Sequence, residues 1–133
     1  MSAKTLKNAR MNSVLKLRAE DCTEVFYKVR REHPEYSVAK AMAVAAKEPA
    51  PRFYTTFEIA RRNVSLIERG RPLPPVRLHV RMMYKELHKR WRKEGGGYDT
   101  LKDIIMEPAP RFYIGPEAFR NAVYRTLRER RKK

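Results

Sequence analysis

Apolar residues recur along the start of this chain at the three- and four-residue spacing of an amphipathic helix. The pattern predicts a first helix over about residues 14–32. The pair His33-Pro34 breaks it, because proline cannot continue a helix. An alanine-rich segment follows, and it predicts a second helix over residues 38–47 with Ser37 as its N-cap.

A third helix is predicted after a corner that contains Pro49 and Pro51. Thr55 and Glu58 have the spacing of a capping box, in which each side chain satisfies a backbone amide of the first turn. The apolar period continues to Arg69, and Gly70 is typical of the residue that ends a helix.

The second half of the chain repeats this order of a long, a short and a medium helix. An apolar stripe over residues 76–91 predicts the long helix, which three consecutive glycines end. Asp99 is the predicted N-cap of the short helix, and Gly115-Pro116 opens the last one. No segment has the alternation of a β-strand, so the predicted fold class is all-α.

One heptapeptide, Glu-Pro-Ala-Pro-Arg-Phe-Tyr, occurs at Glu48–Tyr54 and again at Glu107–Tyr113. A long identical repeat in a chain of 133 residues indicates a duplicated structural unit. We therefore predict two tandem three-helix units joined by a stiff, proline-rich linker, with a basic segment at each end. The predicted boundaries are a flexible basic arm at 1–12, the first unit at 13–70, the linker at 71–75, the second unit at 76–130 and a basic tail at 131–133.

The charge of the chain indicates what kind of partner it binds. Thirty-one Lys and Arg residues against 15 Asp and Glu give a net charge of +16. Such an excess repels itself and is typical of proteins that bind a polyanion. Nucleic acid is favoured over an anionic membrane or an acidic protein. The single cysteine, Cys22, excludes an internal disulfide and a multi-cysteine zinc site.

The order of a short helix, a fixed corner and a basic third helix resembles a helix-turn-helix unit. In that unit the last helix enters the major groove of DNA. The corner here is longer than the usual turn of three or four residues, so the resemblance is architectural. It implies DNA binding through the third helix of each unit.

The expected nucleic-acid contacts are polar side chains of the third helices, the fourth helix and the two corners, because Arg and Asn read base edges and phosphates. They are Arg52, Arg61, Arg62, Ser65, Arg69, Arg77, Arg81, Arg92, Arg111, Arg120, Asn121, Arg125 and Arg128. The other corner residues are expected to be structural, namely Pro49, Pro51, Phe53, Tyr54, Pro108, Pro110, Phe112 and Tyr113.

Two interpretations of the corner arginines stay open. Arg52 and Arg111 contact phosphate in the first. In the second they form local ion pairs, whose candidate carboxylates are Glu48, Glu58, Glu107 and Glu117.

The sequence offers little catalytic chemistry. His79 and His88 lie nine positions apart, on roughly opposite sides of one helix, and His33 lies at a helix end. The glycines at 95–97 lack the Lys-Ser or Lys-Thr of a phosphate-binding loop. We expect no enzymatic activity, no cofactor and no metal.

The sequence thus favours a non-enzymatic nucleic-acid-binding protein, with double-stranded DNA preferred over RNA. The first alternative is a structural or packaged virion protein that docks on an assembly partner through its repeated surface. The second is a small RNA- or ribosome-associated protein. No run approaches the ~20 apolar residues of a membrane span. The expected location is cytoplasmic or nucleoid-associated, or the virion under the first alternative, and the oligomeric state is left open.

Overall fold

The structure, a computed structural model, describes the backbone of residues 3–132 and the side chains of residues 10–132. The helices in this part of the chain are α1 (Ala3–Glu32), α2 (Val38–Ala45), α3 (Phe57–Glu68), α4 (Leu78–Lys93), α5 (Tyr98–Ile105) and α6 (Pro116–Arg131). The all-α fold class is confirmed.

The first and last helices reach further towards the chain ends than the pattern predicted. α1 begins at Ala3, so the expected arm at 1–12 is helical from its third residue, while residues 1 and 2 lie outside the described part. α1 can begin this early because no helix-breaking proline or glycine precedes Pro34 in the chain. α6 extends to Arg131, inside the expected basic tail, and residue 133 is outside the described part.

The N-termini of two helices are capped by hydroxyl side chains. The amide of Lys40 donates to Ser37 Oγ at 3.1 Å, which confirms the predicted cap of α2. The predicted N-cap of α3, Thr55, was wrong by one residue. The N-cap is Thr56, whose Oγ1 accepts a hydrogen bond from the amide of Ile59 at 3.2 Å. Thr55 is instead buried, and its hydroxyl lies 2.9 Å from the hydroxyl of Tyr84.

Glycines lie at several of the other helix ends. Gly70 has a φ of 70°, the left-handed conformation that stops α3. Gly115 is the N-cap of α6 and Pro116 its first residue, as predicted. Asp99 is not a cap, because Gly97 occupies the N-cap of α5 and Asp99 lies in its first turn.

The third helix of each sequence unit packs on the first two helices of the other unit. α3 packs on α4 and α5, whereas α6 packs on α1 and α2. Within the described helices, no Cα of α3 lies within 8 Å of α1 or α2, and none of α6 lies that close to α4 or α5. The chain therefore forms two three-helix bundles, one of α3, α4 and α5, the other of α1, α2 and α6. We refer to this arrangement as the exchanged packing.

The two copies of the heptapeptide cross each other between the bundles. Ala50 and Ala109 exchange two backbone hydrogen bonds, with N–O distances of 3.0 and 2.9 Å. Prolines flank each of these alanines and keep the backbone extended. Each corner therefore carries the chain across from one bundle to the other. A helix-turn-helix corner instead folds its last helix back onto the preceding one, and α3 does not approach α2 in this way.

Aromatic rings fill the crossing. Phe53 stacks on Tyr113 with ring centroids 6.2 Å apart, and Tyr54 stacks on Phe112 at 5.8 Å. Each ring thus packs on a ring from the other copy, and both phenylalanines are buried. The backbone amide of Phe53 also donates to the carbonyl of Ile105 at 2.9 Å, which ties the first corner to the end of α5.

α3 and α4 run in the same direction. The linker must therefore carry the chain back along the length of α3 before α4 begins. Thr55, just before α3, contacts Tyr84 in the first half of α4, while Glu68 at the end of α3 contacts His88 in the second half. The 12 residues of α3 span about 18 Å at 1.5 Å per residue. Residues 70–77 can reach about 26 Å when extended, and the prolines in the linker hold the chain in such a form.

Candidate nucleic-acid interface

Basic side chains form a stripe along the exposed face of α4, one at every fourth position. A spacing of four residues places them on one side of the helix, over a length of about 24 Å. None forms an ion pair with a carboxylate in the described part of the chain. We call them the α4 stripe, which consists of Arg77, Arg81, Lys85, Lys89 and Lys93, all exposed.

The fold does not require this charge, as the equivalent helix of the first unit shows. The buried residues Cys22, Thr23 and Phe26 of α1 have the same spacing as Met83, Tyr84 and Leu87 of α4. In this register the positions on α1 that correspond to the α4 stripe are Lys16, Glu20, Glu24, Lys28 and Glu32. That face is mixed in charge, whereas like charges four residues apart destabilise a helix. The α4 stripe is therefore a feature beyond the shared architecture.

Arg111 extends the α4 stripe. It is exposed and, with Lys85 and Lys89, lines a groove of about 430 Å³ between α4 and the second corner. Its guanidinium lies 6.0 Å from the ring of Tyr113 and forms no ion pair with a described carboxylate. Six cations thus lie on this side of the molecule, with Glu86 as the acidic residue of the groove.

Arg52, the counterpart of Arg111 in the first copy, lies in a different environment. It is half-buried, with Nη2 2.7 Å from Met106 Sδ, and its buried Nε has no hydrogen-bond partner. Neither corner arginine forms the ion pairs considered from the sequence. Glu58 pairs with Arg10 at 2.7 Å instead, and Glu107 lies 3.6 Å from Arg90.

The predicted contact residues of α3 lie together on an exposed groove of about 390 Å³ that Tyr98 also lines. Four of them share it, namely Arg61, Arg62, Ser65 and Arg69. The guanidinium of Arg61 lies 5.0 Å from the ring of Tyr98, a cation–π contact. Arg92 lies 3.7 Å from Glu68, so its charge is less available than those of the α4 stripe.

The predicted residues of α6 are exposed but dispersed. Arg120 faces α2, and Arg125 lies 3.5 Å from Glu129 of its own helix. Asn121 shares a groove with Arg77 of α4, while Arg128 is exposed near the end of α6. Because α6 packs on α1 and α2, and no Cα of α6 lies within 8 Å of α3 within the described helices, the predicted residues of α3 and α6 do not form one surface.

Several basic residues of this surface were not among the predicted contacts. Lys85, Lys89 and Lys93 belong to the α4 stripe, and their spacing from Arg81 was the signal that marks them. Arg18 lines the groove of Asn121, and no sequence signal marks it, because the exchanged packing brings α1 and α6 together.

Three further observations on the described residues concern a thiol, metal binding and membrane spans. Burial raises the pKa of the Cys22 thiol to about 12, so it is not a thiolate near neutral pH. No three side chains of His, Cys, Asp or Glu are grouped to hold a metal ion among the described residues. None of the described helices combines the length and apolar character needed to cross a membrane.

No known protein family, curated protein or solved structure matches this chain. The choice of interface therefore depends on the charge and geometry of the chain itself. On both grounds the α4 stripe with Arg111 is the strongest candidate, because it is exposed, continuous and without a carboxylate partner among the described residues.

Proposed function

We propose that this protein is a non-enzymatic nucleic-acid-binding protein that lays the α4 stripe and Arg111 along the phosphate backbone of duplex DNA. The observation that carries the proposal is the stripe itself: five exposed cations, one at each turn of α4, without a carboxylate partner in the described chain. The mixed charge on the matching face of α1 supports a functional origin for it.

The dimensions of the stripe suit a duplex. DNA carries one phosphate charge per about 1.7 Å of helix axis, so about fourteen phosphates lie along the 24 Å of α4. Cations arranged in this way displace condensed counterions and position a protein without reading sequence.

A duplex is favoured over a single strand because the stripe lacks stacking surfaces. Proteins that bind single strands stack bases on exposed aromatic rings. The aromatic residues of α4, Tyr84 and Trp91, are buried instead. The exposed apolar residues on this helix are Leu78 and Met82, neither of which offers a ring.

Neutralising the stripe tests the proposal. The variant Arg81→Gln/Lys85→Gln/Lys89→Gln removes three charges from α4, and Lys16→Gln/Lys28→Gln/Arg31→Gln removes three exposed charges from α1. We expect the α4 variant to lose duplex affinity by about tenfold or more at low salt. The α1 variant should lose much less, and circular dichroism should show both folded.

Two outcomes would contradict the proposal. Equal losses in both variants would mean that charge acts diffusely and that α4 is not the interface. Negligible affinity of the unmodified protein for a DNA duplex at low salt would refute duplex DNA binding. Double-stranded RNA of the same length is the comparison probe, and tighter binding to it would assign the partner as RNA.

A further inference from the structure

Two large apolar side chains interrupt the basic face of α4. Leu78, the first residue of the helix, is 64% exposed, and Met82 is 37% exposed. At about 100° per residue, a separation of nine positions places two residues on opposite sides of a helix. Leu78 is therefore opposite the buried Leu87, and Met82 is opposite the buried Trp91. We call Leu78 and Met82 the apolar pair, which points away from the core into solvent.

The apolar pair lies among the cations of the α4 stripe. Its two members directly follow arginines of the stripe in the chain, Arg77 and Arg81. Met82 also lines the groove of about 430 Å³ between α4 and the second corner, together with three cations. A ligand that covers the stripe must therefore contact the apolar pair as well.

The architecture that the two units share does not require apolar residues at these positions. In the register that aligns the buried residues of the two long helices, the apolar pair corresponds to Leu17 and Asp21 of α1. Leu17 is partly buried and packs against the core, while Asp21 accepts a hydrogen bond from Tyr54. These positions of α1 contact other parts of the protein, whereas those of α4 face solvent.

The surroundings of the apolar pair favour a polyanion as the ligand that covers it. The cations of the α4 stripe have no carboxylate partner among the described residues. An exposed apolar surface with a polar rim marks an interaction site, but leucine and methionine cannot bond to phosphates. On a duplex, such side chains enter between base pairs as wedges that unstack a base step and kink the helix. A wedge of this kind needs no aromatic ring.

We propose that the apolar pair is a wedge that opens a base step of duplex DNA and bends the duplex at that point. The inference rests on duplex binding by the α4 stripe and deepens it. The stripe neutralises the phosphates beside a groove, while Leu78 enters between two base pairs and Met82 packs behind it. Such a contact favours steps that unstack easily, as pyrimidine–purine steps do. The protein then acts as an architectural protein, which bends the DNA that it binds.

Fluorescence energy transfer between the two ends of a short duplex measures the bend. The unmodified protein should bring the ends closer together, whereas the variant Leu78→Ala/Met82→Ala should leave the bound duplex almost straight. This variant keeps every cation of the stripe, so its affinity should fall several-fold without a change in salt dependence. Val38→Ala truncates an exposed apolar residue of α2 and is the matched control, which should bend the duplex as the unmodified protein does. Circular dichroism should show both variants folded.

A mismatch at the centre of the duplex provides a second readout. A mismatched base costs less to unstack, so a wedge enters there more easily. The unmodified protein should bind the mismatched duplex several-fold more tightly than the matched one, and Leu78→Ala/Met82→Ala should abolish this preference. Phosphate contacts alone give no such preference, because a mismatch leaves the charge of the backbone unchanged.

The outcomes separate the wedge from the proposed function. A duplex that stays straight when bound, or that bends equally with Leu78→Ala/Met82→Ala, would overturn the wedge and leave binding through the α4 stripe intact. Absence of duplex binding at low salt would refute both.

Two other ligands of the apolar pair give different results with the same variant. A dimer that forms without DNA in sedimentation, and that Leu78→Ala/Met82→Ala abolishes, would assign the pair to a second copy of the chain. Tighter binding to phosphatidylserine vesicles than to the duplex, lost in that variant, would assign the pair to a membrane surface. Either result would overturn the wedge.

Discussion

Val64 and Val123 allow the exchanged packing to be tested by a matched pair of substitutions. They occupy the same position in α3 and α6 of the two sequence units, and both are 0% exposed. Because α6 packs on α1 and α2, Val123→Ala should loosen those helices. Val64→Ala should loosen α4 and α5 instead, since α3 packs on them.

The expected loss of stability follows from the removed volume. Each substitution deletes two methyl groups, which contribute about 0.8 kcal/mol each when buried. A residual cavity of ~40 Å³ adds about 1 kcal/mol at ~24 cal/mol per Å³. The free energy of unfolding should therefore fall by about 2–3 kcal/mol in either variant, a substantial part of the ~5–15 kcal/mol of a typical domain.

Urea denaturation measures the loss, and hydrogen exchange followed by mass spectrometry locates it. Under native conditions, Val123→Ala should increase exchange in α1 and α2 more than in α4 and α5, and Val64→Ala should give the reverse. If Val123→Ala instead exposed α4 and α5 while α1 and α2 stayed protected, the third helices would pack within their own units. The exchanged packing would then be wrong.

Four further predictions concern Tyr54, Gly70 and Cys22. Tyr54→Phe should lower the free energy of unfolding by about 1–3 kcal/mol, because it breaks the bond to Asp21; a loss below 0.5 kcal/mol in urea denaturation would show that the bond contributes little. Gly70→Ala should cost about 1 kcal/mol, because Gly70 has a φ of 70°, whereas Gly97→Ala, at an ordinary φ, should cost less in the same assay. The thiol of Cys22 should resist alkylation at pH 8 until the protein is unfolded in urea, and rapid alkylation of the native protein would contradict its burial. Because its pKa is raised from 9.0 to about 12, Cys22 contributes stability that is present below pH 9 and lost as the pH rises towards 12, and Cys22→Ala should reduce that decline.

The helices were predictable because their signals are local. The cap at Ser37, the stop at Gly70 and the start at Gly115-Pro116 each depend on a few neighbouring residues. The predicted cap at Thr55 was wrong because the contact that decides it is not local. Both threonines can cap, and the distant Tyr84 holds Thr55 in the core.

The exchanged packing was not predictable from the pattern. α3 and α6 present equivalent apolar residues, such as Val64 and Val123, so either helix fits either bundle. The direction of the corner decides between the two arrangements. That direction depends on the pairing of Ala50 with Ala109, a contact between distant parts of the chain.

The candidate interface was predictable in part. Arg77, Arg81 and Arg111 were expected contacts, and the structure places them on one side with further lysines. The expectation emphasised residue types that read bases, whereas the spacing of charge along α4 was the stronger signal. The groove that Arg18 and Asn121 share could not be found in the sequence, since these residues come together only through the exchanged packing.

The salt dependence of duplex affinity tests binding through the α4 stripe most directly. Six phosphate contacts, from the α4 stripe and Arg111, predict a slope of about −5 in a plot of log affinity against log salt concentration. The α4 variant, with three charges removed, should reduce that slope to about half. A slope near zero, or the same slope in both proteins, would contradict the central claim that these cations hold the nucleic acid.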